Sequence, residues 1–210
     1  MEVTYKNQAI ILAREPYGEN DSRVFVYTRD FGKLDLVARG TQKLSSKLAA
    51  HIEPLNLGEI MVVRGKQYDY LGSVVSEKVF AGIKDNYEKT AAAGEIVKLI
   101  KEIIKDSEQD EQVFLMLNKF LEILNNNEIN SSQLILLKSA FALKLISRLG
   151  YQPQLDDLKI GNIKASKKIT AMAKLILQKK LNEIITIDIE SELIKEFSKV
   201  INSYKLYLFD

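Results

Sequence analysis

Residues 23–38 have the sequence Arg23-Val24-Phe25-Val26-Tyr27-Thr28-Arg29-Asp30-Phe31-Gly32-Lys33-Leu34-Asp35-Leu36-Val37-Ala38. The first six residues are rich in β-branched and aromatic side chains, and the last five are mostly apolar, which predicts a strand on each side of a turn at residues 30–33. Apolar residues 8–13 predict a strand before this hairpin, and residues 55–64 and 68–80 predict two strands after it. The sequence therefore predicts five short strands in the N-terminal part.

Five strands of this length are too few for two stacked sheets, so they predict a small closed barrel, most commonly the oligonucleotide-binding (OB) fold. The loop after the third strand is basic: residues 39–53 carry Arg39, Lys43 and Lys47, with no acidic residue before Glu53. Gly40 and two serines allow the backbone to turn there. We expect a short helix at residues 45–52, where barrels of this type commonly carry one.

The composition changes near residue 82, since seven of the ten glycines and five of the six arginines lie at or before Gly82. Beyond it, apolar residues recur at helical spacing, and residues 134–149 are apolar on almost every side, which predicts a helix inside a bundle. The predicted fold class is therefore α+β with two domains. Residues 1–82 form a five-stranded OB barrel, and residues 83–210 form an all-α helical bundle.

Composition excludes several kinds of chemistry. The chain has 210 residues, no cysteine and one histidine, so it has no thiol nucleophile and no Cys/His zinc site. The glycines match neither common phosphate-binding loop, and no acid or base pair suggests catalysis. No stretch reaches the roughly 18 apolar residues that span a bilayer. We expect a cytoplasmic protein that is not an enzyme and needs no cofactor or metal.

Binding is the remaining chemistry. The formal net charge is only +2, so nucleic-acid binding requires local clustering of cations. The predicted phosphate contacts are the cations on or beside the strands and loops of the barrel: Arg14, Arg23, Arg29, Lys33, Arg39, Lys43 and Lys47. Tyr17, in a Pro-Tyr-Gly turn, is the best candidate for stacking on a base.

A second basic segment lies in the helical part. Residues 159–180 contain seven lysines and no acidic residue, with an apolar stripe at helical spacing. This pattern predicts a helix with a positive outer face, which is either a solvated surface or a binding surface for nucleic acid or an acidic peptide. Its candidate contacts are Lys167, Lys168 and Lys174.

The order of local motifs resembles the bacterial recombination mediator family RecO. The motifs are residues 9–12 with Tyr17-Gly18-Glu19-Asn20-Asp21, residues 25–33, Leu36-Val37-Ala38-Arg39-Gly40, Leu48 with Glu53-Pro54-Leu55, and Leu149-Gly150-Tyr151 with Pro153. This resemblance implies binding of single- and double-stranded DNA and annealing of complementary strands. It also implies joint action with RecR in loading RecA onto DNA that is coated by single-stranded DNA-binding protein (SSB).

Two further features of the family bear on this chain. Many members insert a four-cysteine zinc module after the Gly-Tyr-x-Pro motif, and this chain has no cysteine to form one. The family also binds the acidic, phenylalanine-ended tail of SSB on its helical domain. Cations and an aromatic ring at helical spacing are the candidates for that contact, namely Lys138, Phe141, Lys144 and Arg148. The alternative function is an OB-fold module that binds protein or RNA without mediator activity.

Overall fold

The computed structural model describes residues 3–155, 159–160 and 163–209. The N-terminal part contains five strands: β1 (Thr4–Tyr17), β2 (Asp21–Thr28), β3 (Gly32–Ala38), β4 (Leu57–Val63) and β5 (Asp69–Lys78). They form a closed barrel in the order β1-β2-β3-β5-β4. The prediction of a five-stranded barrel is confirmed.

The long strand β1 closes the barrel by pairing with two neighbours. Its first half pairs with β4 and its second half with β2, and the register shifts between Ile11 and Ala13. An irregularity of this kind bends a strand and increases its twist, which allows one strand to belong to both sides of a barrel. Strands β3 and β5 are parallel neighbours, whereas the other pairs are antiparallel. This is the arrangement of an OB fold.

The interior of the barrel is filled by alternate residues of the strands, because successive side chains of a strand point to opposite faces. The buried cluster consists of Ala9, Ile11, Val24, Val26, Leu34, Leu36, Ala38, Ile52, Ile60, Val62, Leu71 and Val74. Complete burial of a valine, leucine or isoleucine side chain contributes roughly 1.5–3 kcal/mol. The pattern that predicted the strands also supplies the core.

The prediction of a helix at residues 45–52 is wrong, because residues 39–56 form turns and bends. Within the segment, the amides of His51 and Ile52 both donate to the carbonyl of Leu48, which makes a single turn that is not continued. Arg14 donates to the carbonyl of Ala49, and Asn56 Nδ2 donates to the carbonyls of Ala50 and His51 at 3.0 and 3.2 Å. These side-chain donors satisfy carbonyls of the turn, so the loop is held in place without a helix.

The C-terminal part is mostly helical, as predicted. Its described elements are α1 (Ala81–Lys84), α2 (Tyr87–Ile103), α3 (Glu111–Asn126), α4 (Ser131–Ile146), a π-helical turn (Ser147–Tyr151), β6 (Lys159–Ile160), β7 (Ile163–Lys164), α5 (Lys167–Gln178), α6 (Leu181–Ile184) and α7 (Ser191–Phe209). Among the described helices, none is both long enough and apolar enough to cross a membrane.

Helix α4 is the buried helix that the sequence predicted. Ten of its residues are buried, including Phe141, and it packs against α5, α6 and α7. The hydroxyl of Ser139 donates to the carbonyl of Ile135 at 2.8 Å, so this polar group is satisfied within the helix. The helix starts with a capping box between Asn130 and Gln133.

Contacts divide the chain into two compact units. The first unit contains the described residues up to 85 together with residues 93–125, and the second contains residues 86–92 and the described residues from 126 onward. The composition-based boundary near residue 82 therefore stays a prediction, since helix α3 and much of α2 belong to the first unit.

The end of α2 and the segment that follows it attach to the barrel inside the first unit. The amide of Ser107 donates to the carbonyl of Lys33 at 2.9 Å, and the Tyr27 hydroxyl donates to the carbonyl of Asp110 at 3.3 Å. The Lys33 ammonium donates to the carbonyl of Lys101 at 2.8 Å. Tyr27 and Lys33 are both buried, so these acceptors complete polar groups that the barrel alone leaves open.

Candidate nucleic-acid interface

A cleft of about 480 Å³ opens on the face of the barrel that carries β2 and β3. Residues from the end of β1, from β2 and β3, from the β4–β5 loop and from the segment after α2 line it: Tyr17, Arg23, Lys33, Leu34, Asp35, Val37, Gly65, Lys66, Gln67, Tyr68, Asp69, Asp106 and Ser107. In OB folds this face and these loops bind oligonucleotides. The cleft is therefore the candidate interface of the first unit.

Two tyrosines stand together at this cleft. The rings of Tyr17 and Tyr68 lie 6.2 Å apart between centroids at an interplanar angle of 70°, and the side chains are 37% and 43% exposed. A hydrogen bond with Tyr68 raises the pKa of Tyr17 above its usual value. Exposed aromatic rings beside cations are the groups on which single-stranded bases stack.

The predicted cations within the cleft already have partners. Arg23 binds the Asp35 carboxylate through two nitrogens, with Nε at 2.8 Å from Oδ1. The buried Lys33 ammonium lies 3.2 Å from an Asp106 oxygen in addition to its bond to a backbone carbonyl. Lys66, in the β4–β5 loop, is exposed. Carboxylates at this cleft thus reduce the positive charge that Arg23 and Lys33 contribute.

Arg14 and Arg29 also have partners within the first unit. Arg14 donates to Ser22 Oγ at 3.1 Å, to the carbonyls of Thr41 and Ala49 at 3.0 and 3.3 Å, and to Glu53 Oε1 at 2.9 Å. Its side chain is only 21% exposed.

Arg29 Nε lies 2.7 Å from Glu111 Oε1, and both side chains are about half exposed. Exposed pairs of this kind contribute about 0–1 kcal/mol, so a phosphate can compete for Arg29 more readily than for Arg14. The two arginines therefore differ in how available they are to a ligand.

The three cations of the basic loop, defined here as residues 39–47, are exposed. The guanidinium of Arg39 lies 4.4 Å from the centre of the Tyr70 ring. Across the part of the chain that the structure describes, Arg39, Lys43 and Lys47 form no salt bridge. Their charges are thus available to an anion.

The start of the basic loop is fixed to the β1–β2 turn. Gly40 N donates to Asp21 Oδ1 at 2.8 Å, and Gln42 N donates to the carbonyl of Asn20 at 2.9 Å. The Thr41 side chain is buried, and its hydroxyl lies 2.7 Å from Ser22 Oγ. Leu44 follows and is completely exposed. The loop therefore presents its cations and one apolar side chain from an ordered base.

The predicted contacts of the second unit fall in different surroundings. Phe141 is completely buried in α4, so its ring lines no open slot. Lys144 donates to the carbonyl of Leu177 at 3.1 Å, and burial lowers its pKa. Lys138 is half-buried and Arg148 is exposed. The assignment of these four residues to an SSB tail stays a prediction.

The lysines of α5 are on its outer face. Lys167, Lys168 and Lys174 are exposed, whereas Ile169, Met172, Ala173 and Ile176 are buried. The helix that the lysine-rich segment predicted is therefore present, with the positive face on the outside.

Sequence reasoning missed several residues of the barrel face. The β4–β5 loop contributes Arg64, Lys66 and Tyr68 in the sequence Arg64-Gly65-Lys66-Gln67-Tyr68. Two cations and an aromatic residue around a glycine, between two predicted strands, are the signal that identifies them. Leu44 carries no such signal, because only its complete exposure distinguishes it from a core leucine.

Two family models match the chain in succession. The model described as "Recombination protein O N terminal" matches residues 1–80, and the one described as "Recombination protein O C terminal" matches residues 84–160. The chain belongs to the RecO family. The motif-based resemblance to this family is therefore confirmed.

Curated relatives agree with the family models. Proteins named DNA repair protein RecO from a Thermoanaerobacter species and from Rubrobacter xylanophilus are each 28% identical over 152 residues, which is 72% of this chain and 60% of the relative. The RecO protein of a Roseiflexus species is 30% identical over 153 residues, covering 73% of this chain and 52% of the relative. The chain thus spans about three fifths or less of the length of these relatives.

The four-cysteine zinc module of many RecO proteins does not fit this chain, which has no cysteine. Among the described residues, no three histidine, aspartate or glutamate side chains are grouped to hold a metal ion.

Proposed function

We propose that this protein is a DNA repair and recombination mediator that binds single- and double-stranded DNA through its barrel. The observation that carries the proposal is that one OB barrel presents both the exposed Tyr17–Tyr68 pair and a basic loop whose cations form no salt bridge with any residue the structure describes. Membership of the RecO family supports the assignment. The phosphates bind along Arg39, Lys43 and Lys47, and the bases stack on the tyrosines.

The mechanism we propose for annealing is charge neutralisation. Binding of phosphates by lysine and arginine releases counterions and lowers the repulsion between two strands, after which base pairing takes over. This role requires no covalent step. Leu44 lies beside Lys43 and offers an apolar side chain to the bases of a strand that follows the loop.

We further propose that the protein acts with RecR and SSB to help load RecA onto SSB-coated single strands, as its family implies. For the SSB tail, the buried Phe141 is a poor choice, and a cleft of about 470 Å³ in the second unit fits better. Gln152, Pro153, Gln154, Leu155, Lys174, Leu177 and Gln178 line it. Its apolar wall suits an aromatic ring, and Lys174 suits a carboxylate.

The decisive experiment uses the triple variant R39A/K43A/K47A. Affinity for a fluorescently labelled single strand is measured by anisotropy over a range of salt concentrations. Each phosphate contact contributes about 0.7 to the slope of log K against log salt, so loss of three contacts flattens the slope by about 2.

The control variant K98A/K119A/K195A removes the same charge from three lysines that pair with glutamates on helical surfaces. We expect this variant to keep the wild-type slope. An unchanged slope in the R39A/K43A/K47A variant would exclude the basic loop as the DNA contact. An annealing assay with complementary strands, run on the same proteins, tests the proposed activity.

A further inference from the structure

Four exposed lysines of the second unit lie in electrostatically unfavourable positions. They are Lys159 and Lys164 on the hairpin β6–β7, and Lys167 and Lys168 at the start of α5. We call these four residues the lysine cluster. They come from a stretch of ten residues, and the barrel contributes nothing to them.

The hairpin places two like charges opposite each other. Lys159 pairs directly with Lys164 in the antiparallel register, while their neighbours Ile160 and Ile163 form the adjacent pair. Side chains that face each other in this way have Cβ atoms roughly 5 Å apart, and like charges at such positions destabilise the pairing. A glutamate at either position would relieve the repulsion.

Helix α5 repeats the same pattern. Ser166 caps the helix through its side chain, and the first turn contains Lys167 and Lys168 and no acidic residue. The N-terminus of a helix carries a partial positive charge, so cations are unfavourable there and favourable at the other end. The nearby carboxylate of Glu196 accepts a hydrogen bond from the Ser166 hydroxyl at 3.4 Å.

Among the residues that the structure describes, the lysine cluster has no acidic partner to relieve this repulsion. Throughout residues 3–155, 159–160 and 163–209, no carboxylate forms a salt bridge with any of its four members. Folding alone gives no reason to concentrate lysines at these positions. An anionic ligand that neutralises several of them at once supplies that reason.

We propose that the lysine cluster is a second DNA-binding surface, which holds phosphates of a strand independently of the barrel. This inference rests on the proposed function and extends it to the helical unit. The chemistry favours a polynucleotide over an acidic peptide, because Ile160 and Ile169 are completely buried and Ile163 is only partly exposed, so the cluster offers little apolar surface to a peptide side chain. Lysine binds phosphate as a point charge without requiring a particular base.

The test compares two variants of the full chain that lose the same charge. The cluster variant is K159Q/K164Q/K167Q/K168Q, and the control is K98Q/K119Q/K179Q/K195Q, in which every lysine belongs to a salt bridge. Binding of a labelled single strand is measured against salt, and the melting temperature is measured for both.

If the proposal is correct, the cluster variant loses two to four phosphate contacts and its salt slope flattens by about 1.4–2.8, whereas the control keeps the wild-type slope. The cluster variant also melts at the wild-type temperature or above it, because the repulsion is removed. The double variant K164Q/K167Q gives a smaller loss of slope in the same direction.

The outcomes separate this inference from the proposed function. Combining the cluster variant with R39A/K43A/K47A removes binding that either variant alone retains. A cluster variant with the wild-type slope would overturn the second surface while leaving the barrel's role intact, and a wild-type protein that does not bind DNA would overturn both. Binding of polyglutamate that depends on the lysine cluster, together with an unchanged DNA slope, would assign the surface to an acidic protein partner instead.

Discussion

Replacement of Arg14 by alanine tests whether this arginine fixes the basic loop or contacts phosphate. The Arg14 guanidinium makes three hydrogen bonds to Ser22 and to the carbonyls of Thr41 and Ala49, and it forms an ion pair with Glu53. At about 1 kcal/mol for each hydrogen bond and less than about 1 kcal/mol for the exposed ion pair, the Arg14→Ala substitution should destabilise the first unit by about 3 kcal/mol.

The assay has two readouts on the same protein. Urea denaturation gives the free energy of unfolding, and anisotropy gives the salt slope of single-strand binding. We expect Arg14→Ala to lower the unfolding free energy and to leave the slope unchanged, because its charge is directed into the loop. Any loss of affinity should then be the same at every salt concentration.

Arg39→Ala is the matched control. Arg39 is exposed and contacts only the Tyr70 ring among the interactions described above, so its removal should change the unfolding free energy by less than about 1 kcal/mol. Its loss should flatten the slope by about 0.7. If Arg14→Ala instead keeps the wild-type stability and flattens the slope by that amount, the assignment of Arg14 to the loop is refuted.

Three further predictions concern the first unit. Gly32→Ala should destabilise it by at least about 2 kcal/mol in urea denaturation, because Gly32 has φ +67° and a Cβ there would lie 2.2 Å from a backbone oxygen. Gly94, in α2, has open space around the position of a Cβ, so Gly94→Ala should not destabilise the unit. Lys78, whose ammonium lies 2.6 Å from Glu122, holds the pKa of that carboxyl below its usual range. Glu122→Gln should therefore reduce the unfolding free energy by up to about 1 kcal/mol at neutral pH. The difference between variant and wild type should vanish as the pH falls through the folded-state pKa of Glu122, which lies below the ordinary value of about 4.3. A difference that persists in acid would contradict this prediction. Tyr68→Ala should weaken single-strand binding by about 1–3 kcal/mol without changing the salt slope, whereas Tyr68→Phe should retain affinity. If the alanine variant binds as tightly as the wild type, bases do not stack on this ring.

The fold was predictable where its causes are local. β-branched residues alternating along residues 23–38 specify both the strands and the barrel core, and the continuous apolar surface of residues 134–149 specifies a buried helix. The helix expected at residues 45–52 is absent, and the turns in its place are held by hydrogen bonds from Arg14 and Asn56 to carbonyls of that segment. One of these side chains comes from another strand, and no local pattern reveals it.

The candidate interface was predictable in its residue types and less so in their surroundings. Arginines near strands indicate phosphate binding, but the partner of Arg23 is 12 residues away and the partner of Arg29 is 82 residues away. Such pairings decide how much charge a ligand meets, and they arise only when the chain folds. Among the described residues the three cations of the basic loop have no acidic partner, which is why they are the strongest candidates.

The attachment of the segment after α2 to β3 has a consequence for chimeric proteins. A graft that exchanged only residues 1–82 with a relative would separate Lys33 from the carbonyl of Lys101, and Tyr27 from that of Asp110. The buried lysine and tyrosine of the transplanted barrel would then depend on where the backbone of the relative places its carbonyls. The smallest transferable cassette therefore runs through residue 125, and it includes a piece of α2 that belongs to the other unit.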